Sequence, residues 1–183
     1  MRIVRIGFAI AALAMGISAA NAGPACEAAG FVAGAGNAID SAARSRSPAA
    51  FAAAAARFTD LRTISLFALG KYRNQLPKAR EAEYLALTRA FIGRFMARHA
   101  SSVRASSLQI TGCSSQAKGL IINARLPSGG TVIFKLGKSG SGYRIVDINL
   151  RSIWLAQQLR TNFAGVIKRG GGDIGALFRY LSA

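Results

Sequence analysis

The sequence predicts an α+β domain: helices packed on a twisted four-stranded antiparallel sheet that encloses an apolar cavity. Three observations predict it. Apolar residues recur three and four positions apart through the first half of the chain, the period shortens to two between Val103 and Leu150, and helical spacing then returns. Helices gathered on one face of an antiparallel sheet make this class, and a sheet that twists around long helices leaves a cone-shaped apolar interior.

Each element has a local reason. The stretch from Cys26 to Arg57 is alanine-rich, and Ser47-Pro48 opens a new helix within it because proline suits the first helical position. Thr59-Asp60 caps a segment whose Leu61, Ile64, Phe67 and Ala68 share one face, with Gly70 as its stop. Pro77 begins the clearest amphipathic helix. Tyr84, Leu87, Phe91 and Phe95 form its stripe, with Leu85, Ile92 and Met96 beside it, while Arg80, Glu83, Arg94 and Arg98 fall largely elsewhere. Strands over Val103–Thr111, Lys118–Leu126, Thr131–Leu136 and Tyr143–Leu150 follow, and Pro127-Ser128-Gly129-Gly130 and Gly137 to Gly142 read as hairpin connections. One sheet face carries Leu120, Ile122, Ala124, Leu126, Val132, Phe134 and Leu136; Asn123, Arg125 and Lys135 point the other way, into water. Ser152 then caps a long helix through Ile153, Leu155, Leu159, Phe163, Val166 and Ile167. Gly170-Gly171-Gly172 stops it, and a short last helix runs from Asp173 through Leu177, Phe178 and Leu181.

Composition narrows the function. The 183 residues suit one domain, able to bury about two-thirds of the surface of the unfolded chain. With 51% hydrophobic residues and ten Phe the chain is not disordered, despite a formal charge of +17 from 24 Lys+Arg against 7 Asp+Glu. A single histidine, His99, and few acids leave little material for catalysis, so the chain reads as a non-enzyme without cofactor or metal site. No G-x-S-x-G, no thiol–histidine arrangement and no carboxylate pair on a shared face supports a hydrolase. The charge satisfies the electrostatic half of nucleic-acid binding, but no helix-turn-helix, zinc or aromatic-strand motif accompanies it. Lys168 to Gly172 and Gly137 to Gly140 lack the strand, GxxxxGK[ST] and helix of a phosphate loop and read as turns.

Residues 1–22 form a Sec signal peptide pattern. Arg2 and Arg5 precede an apolar run, Ile6 to Ile17, that ends in the small residues Ala20-Asn21-Ala22. The run is too short for a transmembrane anchor, which needs roughly 20 apolar residues. Cleavage after Ala22 leaves one domain, 23–183, in an oxidising compartment, the periplasm in a bacterium. There Cys26 and Cys113 can pair, a constraint of roughly 4–5 kcal/mol on the chain-entropy account. Two free thiols are the alternative, because no spacing rule places these positions within bonding distance.

Several motifs together resemble one family. Phe58-Thr59-Asp60, Ile64, Phe67-Ala68-Leu69-Gly70, Tyr72-Arg73 and Glu83-Tyr84-Leu85 look like the first signature of the MlaC family, the toluene-tolerance auxiliary proteins of a lipid ABC transporter. Tyr143-Arg144-Ile145-Val146-Asp147-Ile148, Leu155, Leu159-Arg160-Thr161-Asn162-Phe163 and the break at Gly170 are similar to the second. The resemblance spans roughly Phe51 to Leu181. It implies a periplasmic carrier that holds a phospholipid by its acyl chains and passes it between an outer-membrane lipid-handling complex and an inner-membrane ABC transporter complex. Trp154 stands where the family more often has a small residue and Leu159 where an aromatic is common. A related branch is associated with hopanoid-producing loci, so a hopanoid is the alternative ligand, and a non-lipid envelope binding module the alternative function.

On this reading the lipid-contacting candidates are Leu69, Tyr72, Tyr84, Leu87, Phe91, Phe95, Ile122, Phe134, Ile148, Trp154, Leu155, Leu159 and Phe163. Plain core packing is the competing reading for the stripe and for Trp154. A carrier needs no catalytic group, because each buried methylene contributes about 0.8 kcal/mol. Exterior arginines, among them Arg73, Arg94, Arg98, Arg125, Arg151 and Arg160, favour transient contact with anionic membrane surfaces.

Overall fold

A computed structural model describes residues 26–100, 105, 107–127, 129–150 and 152–183; the expected leader at 1–22, Val103 and Arg151 lie outside them. Helices α1 (Ala29–Ser45), α2 (Pro48–Phe58), α3 (Leu61–Ala68) and α4 (Glu81–Arg98) precede strands β1 (Gln109–Gln116), β2 (Gly119–Arg125), β3 (Thr131–Ser139), β4 (Gly142–Leu150) and β5 (Ile153–Trp154). Helices α5 (Leu155–Arg169) and α6 (Gly175–Ser182) close the chain. The strands form one antiparallel sheet in the order β1-β2-β3-β4-β5.

The helix starts follow their capping residues. The Ser47 hydroxyl accepts the Ala50 N–H at 3.2 Å with Pro48 next in line, and the Asp60 carboxylate accepts the Thr63 N–H at 3.0 Å. Gly70 follows α3 at φ +55°, a conformation that suits glycine, and a Cβ there would lie 2.8 Å from the Arg160 Nε. A short 3₁₀ turn, Lys78–Arg80, separates Pro77 from α4.

Two cores result. Alternation puts Leu120, Ile122, Ala124, Val132, Phe134 and Leu136 on one sheet face, where they pack with Ile145 against Val32 and Ala35 of α1 and Phe58 of α2. Phe58 meets the Phe31 ring edge-on, centroids 5.6 Å apart. The second core joins α3, α4, α5 and α6 through Leu66, Leu69, Tyr84, Phe163, Ile167, Leu177 and Leu181. A smaller cluster of Ala42, Phe51 and Ala100 seats α1 and α2 against the end of α4. Cys26, just before α1, is bonded to Cys113 of β1 across a sequence separation of 87, with Cα atoms 5.7 Å apart.

The structure differs from the sequence reading in four places. The sheet has five strands, not four, because Ile153 and Trp154 pair with Leu150 and Asn149 instead of joining a helix. Ser152 therefore does not cap α5: it takes a left-handed turn at φ +67°, and Oδ1 of Asp147 accepts the Ala156 N–H at 3.0 Å and the Ile148 N–H at 2.8 Å. The first strand is Gln109–Gln116, not Val103–Thr111, because its register is set by pairing with Gly119–Arg125. The connection at Gly137 to Gly142 tightens too, since Ser139 pairs Gly142 and only Gly140 and Ser141 turn.

Two consequences are measurable. A Cβ at Gly93 would lie 2.3 Å from the Pro48 carbonyl oxygen and 3.0 Å from the Ala52 Cβ, so Gly93→Ala forces α2 and α4 apart. Urea unfolding should show a loss of roughly 1–3 kcal/mol. Replacing Cys26 and Cys113 together by serine should lower stability by about 2–5 kcal/mol in the same assay. Unchanged midpoints would contradict the close crossing and the bridge respectively.

Candidate functional site

One peptide links the two cores. Phe58 ends α2 in the sheet-side core, and the next residues run along the open edge of β4, where the Asp60 N–H donates to the Ile145 carbonyl at 2.9 Å and Thr59 forms a parallel bridge with Ile145. The Thr59 hydroxyl donates back to the Ala55 carbonyl at 2.7 Å, closing the end of α2. Helix α3 then enters the second core through Leu66 and Ala68.

An open groove lies on each side of α3. The first, about 540 Å³, is lined by Ala56, Thr59, Asp60, Leu61, Ala82, Leu85, Ala86, Arg89, Ser139 and Arg144. The second, about 440 Å³, is lined by Thr63, Ile64, Phe67, Lys135, Val146, Asp147, Trp154, Ala156 and Gln157. Both volumes fall in the range of small-molecule sites, about 300–1,000 Å³. Lys135 alternates with the buried Phe134 and Leu136, so the second groove opens on the sheet face opposite α1. At its rim the Arg160 guanidinium sits 5.2 Å from the Phe67 ring centre, and Phe67 is 37% exposed. The Asp147 carboxylate is occupied at the start of α5, so it serves structure there.

The residues expected from sequence are divided among these places. Trp154 lines the second groove. Leu69, Tyr72, Tyr84 and Phe163 are buried in the helical core, with Leu87, Phe91 and Leu159 packed against it. Ile122 and Phe134 are buried in the sheet-side core and Ile148 half-buried beside it. Phe95 and Leu155 are exposed, at 47% and 43%. Phe95 continues an aromatic column, stacked on Phe91 with centroids 6.5 Å apart and tilted against His99 at 4.5 Å. The sequence reading missed the groove positions on α4. Their signal was legible: Ala82, Leu85, Ala86 and Arg89 fall three and four apart on one face, small beside aliphatic beside cationic.

Among the described residues no group of three His, Cys, Asp or Glu could hold a metal ion, and no helix is long and apolar enough to cross a membrane. The most perturbed phenol, Tyr84, donates to the Ser65 carbonyl at 2.6 Å, and burial pushes its ionisation well up. That fixes a structural role.

Fold and grooves together define an α+β binding domain with two open recesses beside one sheet edge. A family model described as MlaC protein matches residues 34–183, and the chain belongs to the MlaC family. Among solved structures it is similar to a phospholipid-binding protein from Ralstonia solanacearum, determined in complex with a phospholipid. The TM-score is 0.70 and the identity 17%, over 86% of this chain and 96% of that one. No curated protein matches the sequence.

Tyr84 supplies a pH prediction. Its folded pKa is raised, so its contribution is complete below the ordinary tyrosine value of 10.0 and lost as pH climbs beyond it. Absorbance titration should show one of the tyrosines ionising only with unfolding. Full ionisation of every tyrosine in a still-folded protein would contradict this.

Proposed function

We propose that this protein is a periplasmic phospholipid carrier, a binding and transport protein and not an enzyme. The observation that carries the reading is the shared fold: a neighbour matched over nearly its whole length was solved with a phospholipid bound, and the family match covers most of this chain. In this reading the acyl chains occupy the space on either side of α3, where Leu61, Leu85, Ile64, Phe67, Val146 and Trp154 offer apolar surface. Filling it would turn the two open grooves into a cavity that encloses the chains. At about 0.8 kcal/mol per methylene, burial of one long chain outweighs any single polar contact the grooves provide.

The carrier would be exported by the leader at residues 1–22 and would pass its lipid between an outer-membrane complex and an inner-membrane ABC transporter complex. The basic exterior supports fast encounter with anionic surfaces and acidic partners, since steering depends on net charge more than on contact detail. It also predicts a salt-sensitive transfer rate.

Native mass spectrometry of protein purified from a bacterial periplasm without detergent tests the reading. A stoichiometric phospholipid on a chain that begins at Gly23 is the expected result. A bound triterpenoid would replace the phospholipid by a hopanoid. A bare mass that persists after incubation with liposomes would overturn the carrier, and a chain that retains residues 1–22 would overturn its export by that leader.

A further inference from the structure

We propose that the first groove is a headgroup site, in which Arg89 of α4 and Arg144 of β4 hold the phosphate of an anionic amphiphile whose chain starts over Ala82, Leu85 and Ala86. The proposal rests on the carrier reading and adds to it a headgroup contact and a preference among lipids.

The groove exists because small residues line it. Ala82 and Ala86 are one helical turn apart on α4 and exposed into the recess, and Ala56 faces them from α2. Arg89 lies on the same face, one turn beyond Leu85, so the stripe passes from apolar to cationic along α4. Arg144 reaches the recess from the sheet, on the strand that also receives the Asp60 N–H.

Charge selects the occupant. Arginines near the start of α4 have acidic partners: Arg62 pairs with Glu81 at 2.7 Å and Arg80 with Glu83 at 2.8 Å. Arg89 and Arg144 form no ion pair among the described residues, and Nη1 of Arg144 donates to the Tyr143 carbonyl at 3.3 Å. The one acid at the groove, Asp60, uses its carboxylate to cap α3 through Thr63, leaving the two guanidiniums in excess. Guanidinium groups pair with phosphate through parallel N–H donors, and Ser139 adds a hydroxyl at the same rim. Free phosphate has the same head chemistry; the alanine and leucine floor is what suits a molecule with a tail.

The test compares three proteins: the wild type, the double variant Arg89→Gln/Arg144→Gln, and Ala86→Trp, which fills the groove from an exposed position. Each is offered vesicles containing phosphatidylglycerol, or diacylglycerol with the same chains, and uptake is read by native mass spectrometry; inorganic phosphate is then added as competitor. Wild type should favour phosphatidylglycerol. The double variant should take it up on the order of tenfold more weakly while keeping diacylglycerol uptake, and Ala86→Trp should lose phosphatidylglycerol as well. A double variant equal to wild type for both lipids overturns the headgroup site and leaves the carrier intact. Wild type that takes up neither lipid overturns the carrier reading itself. Displacement of the lipid by inorganic phosphate at matching concentration would make the site one for free phosphate and overturn the proposal.

Discussion

The arrangement of this molecule depends on the junction between Thr59 and Asp60. Three bonds converge there: the Asp60 N–H reaches the β4 edge at Ile145, the Asp60 carboxylate starts α3, and the Thr59 hydroxyl finishes α2. The chain passes at this point from the core beneath α1 to the core among α3, α4, α5 and α6. Helix α3 starts at the sheet edge, with one recess beside Leu61 and the other beside Thr63, Ile64 and Phe67.

The two recesses differ in character for reasons visible in their linings. The second is walled by Ile64, Phe67, Val146 and Trp154; its carboxylate, Asp147, is taken up at the start of α5, and its one lining cation is Lys135. The first combines small and aliphatic side chains with two guanidiniums that form no ion pair among the described residues. Apolar burial scales with chain length, whereas a surface ion contact contributes little each, typically below about 1 kcal/mol. In the proposed carrier, affinity would come from the chains and discrimination from the headgroup. The column of half-buried Phe91 with exposed Phe95 and His99 stands apart from both recesses.

Much of this fold was legible in the sequence because its signals are local. The Ser47-Pro48 and Asp60 starts, the glycine at 70 and the alternation on β2 and β3 each act within a few residues. What was not legible depends on partners outside the element itself. The Ile153–Trp154 strand exists only because Asn149 and Leu150 are free to pair, and the cap of α5 comes from Asp147, nine residues before the N–H it accepts. The bulge between Lys135 and Leu136 has no local mark either. For the site, an apolar stripe says that a helix is buried but not against what: Tyr84 and Phe163 meet each other at 6.5 Å inside the helical core, while the shorter Ala82 and Ala86 face open space. Small residues on the flank of an aromatic stripe were the better pointer to a recess.

A crystal structure of the protein loaded with phosphatidylglycerol tests the central claim most directly. The account predicts chain density in the recesses beside α3, against Leu85 and Ile64, with the Thr59–Ile145 bridge as the fixed edge between them. Density buried instead between α1 and the β2–β3 face, with both recesses empty, would contradict it.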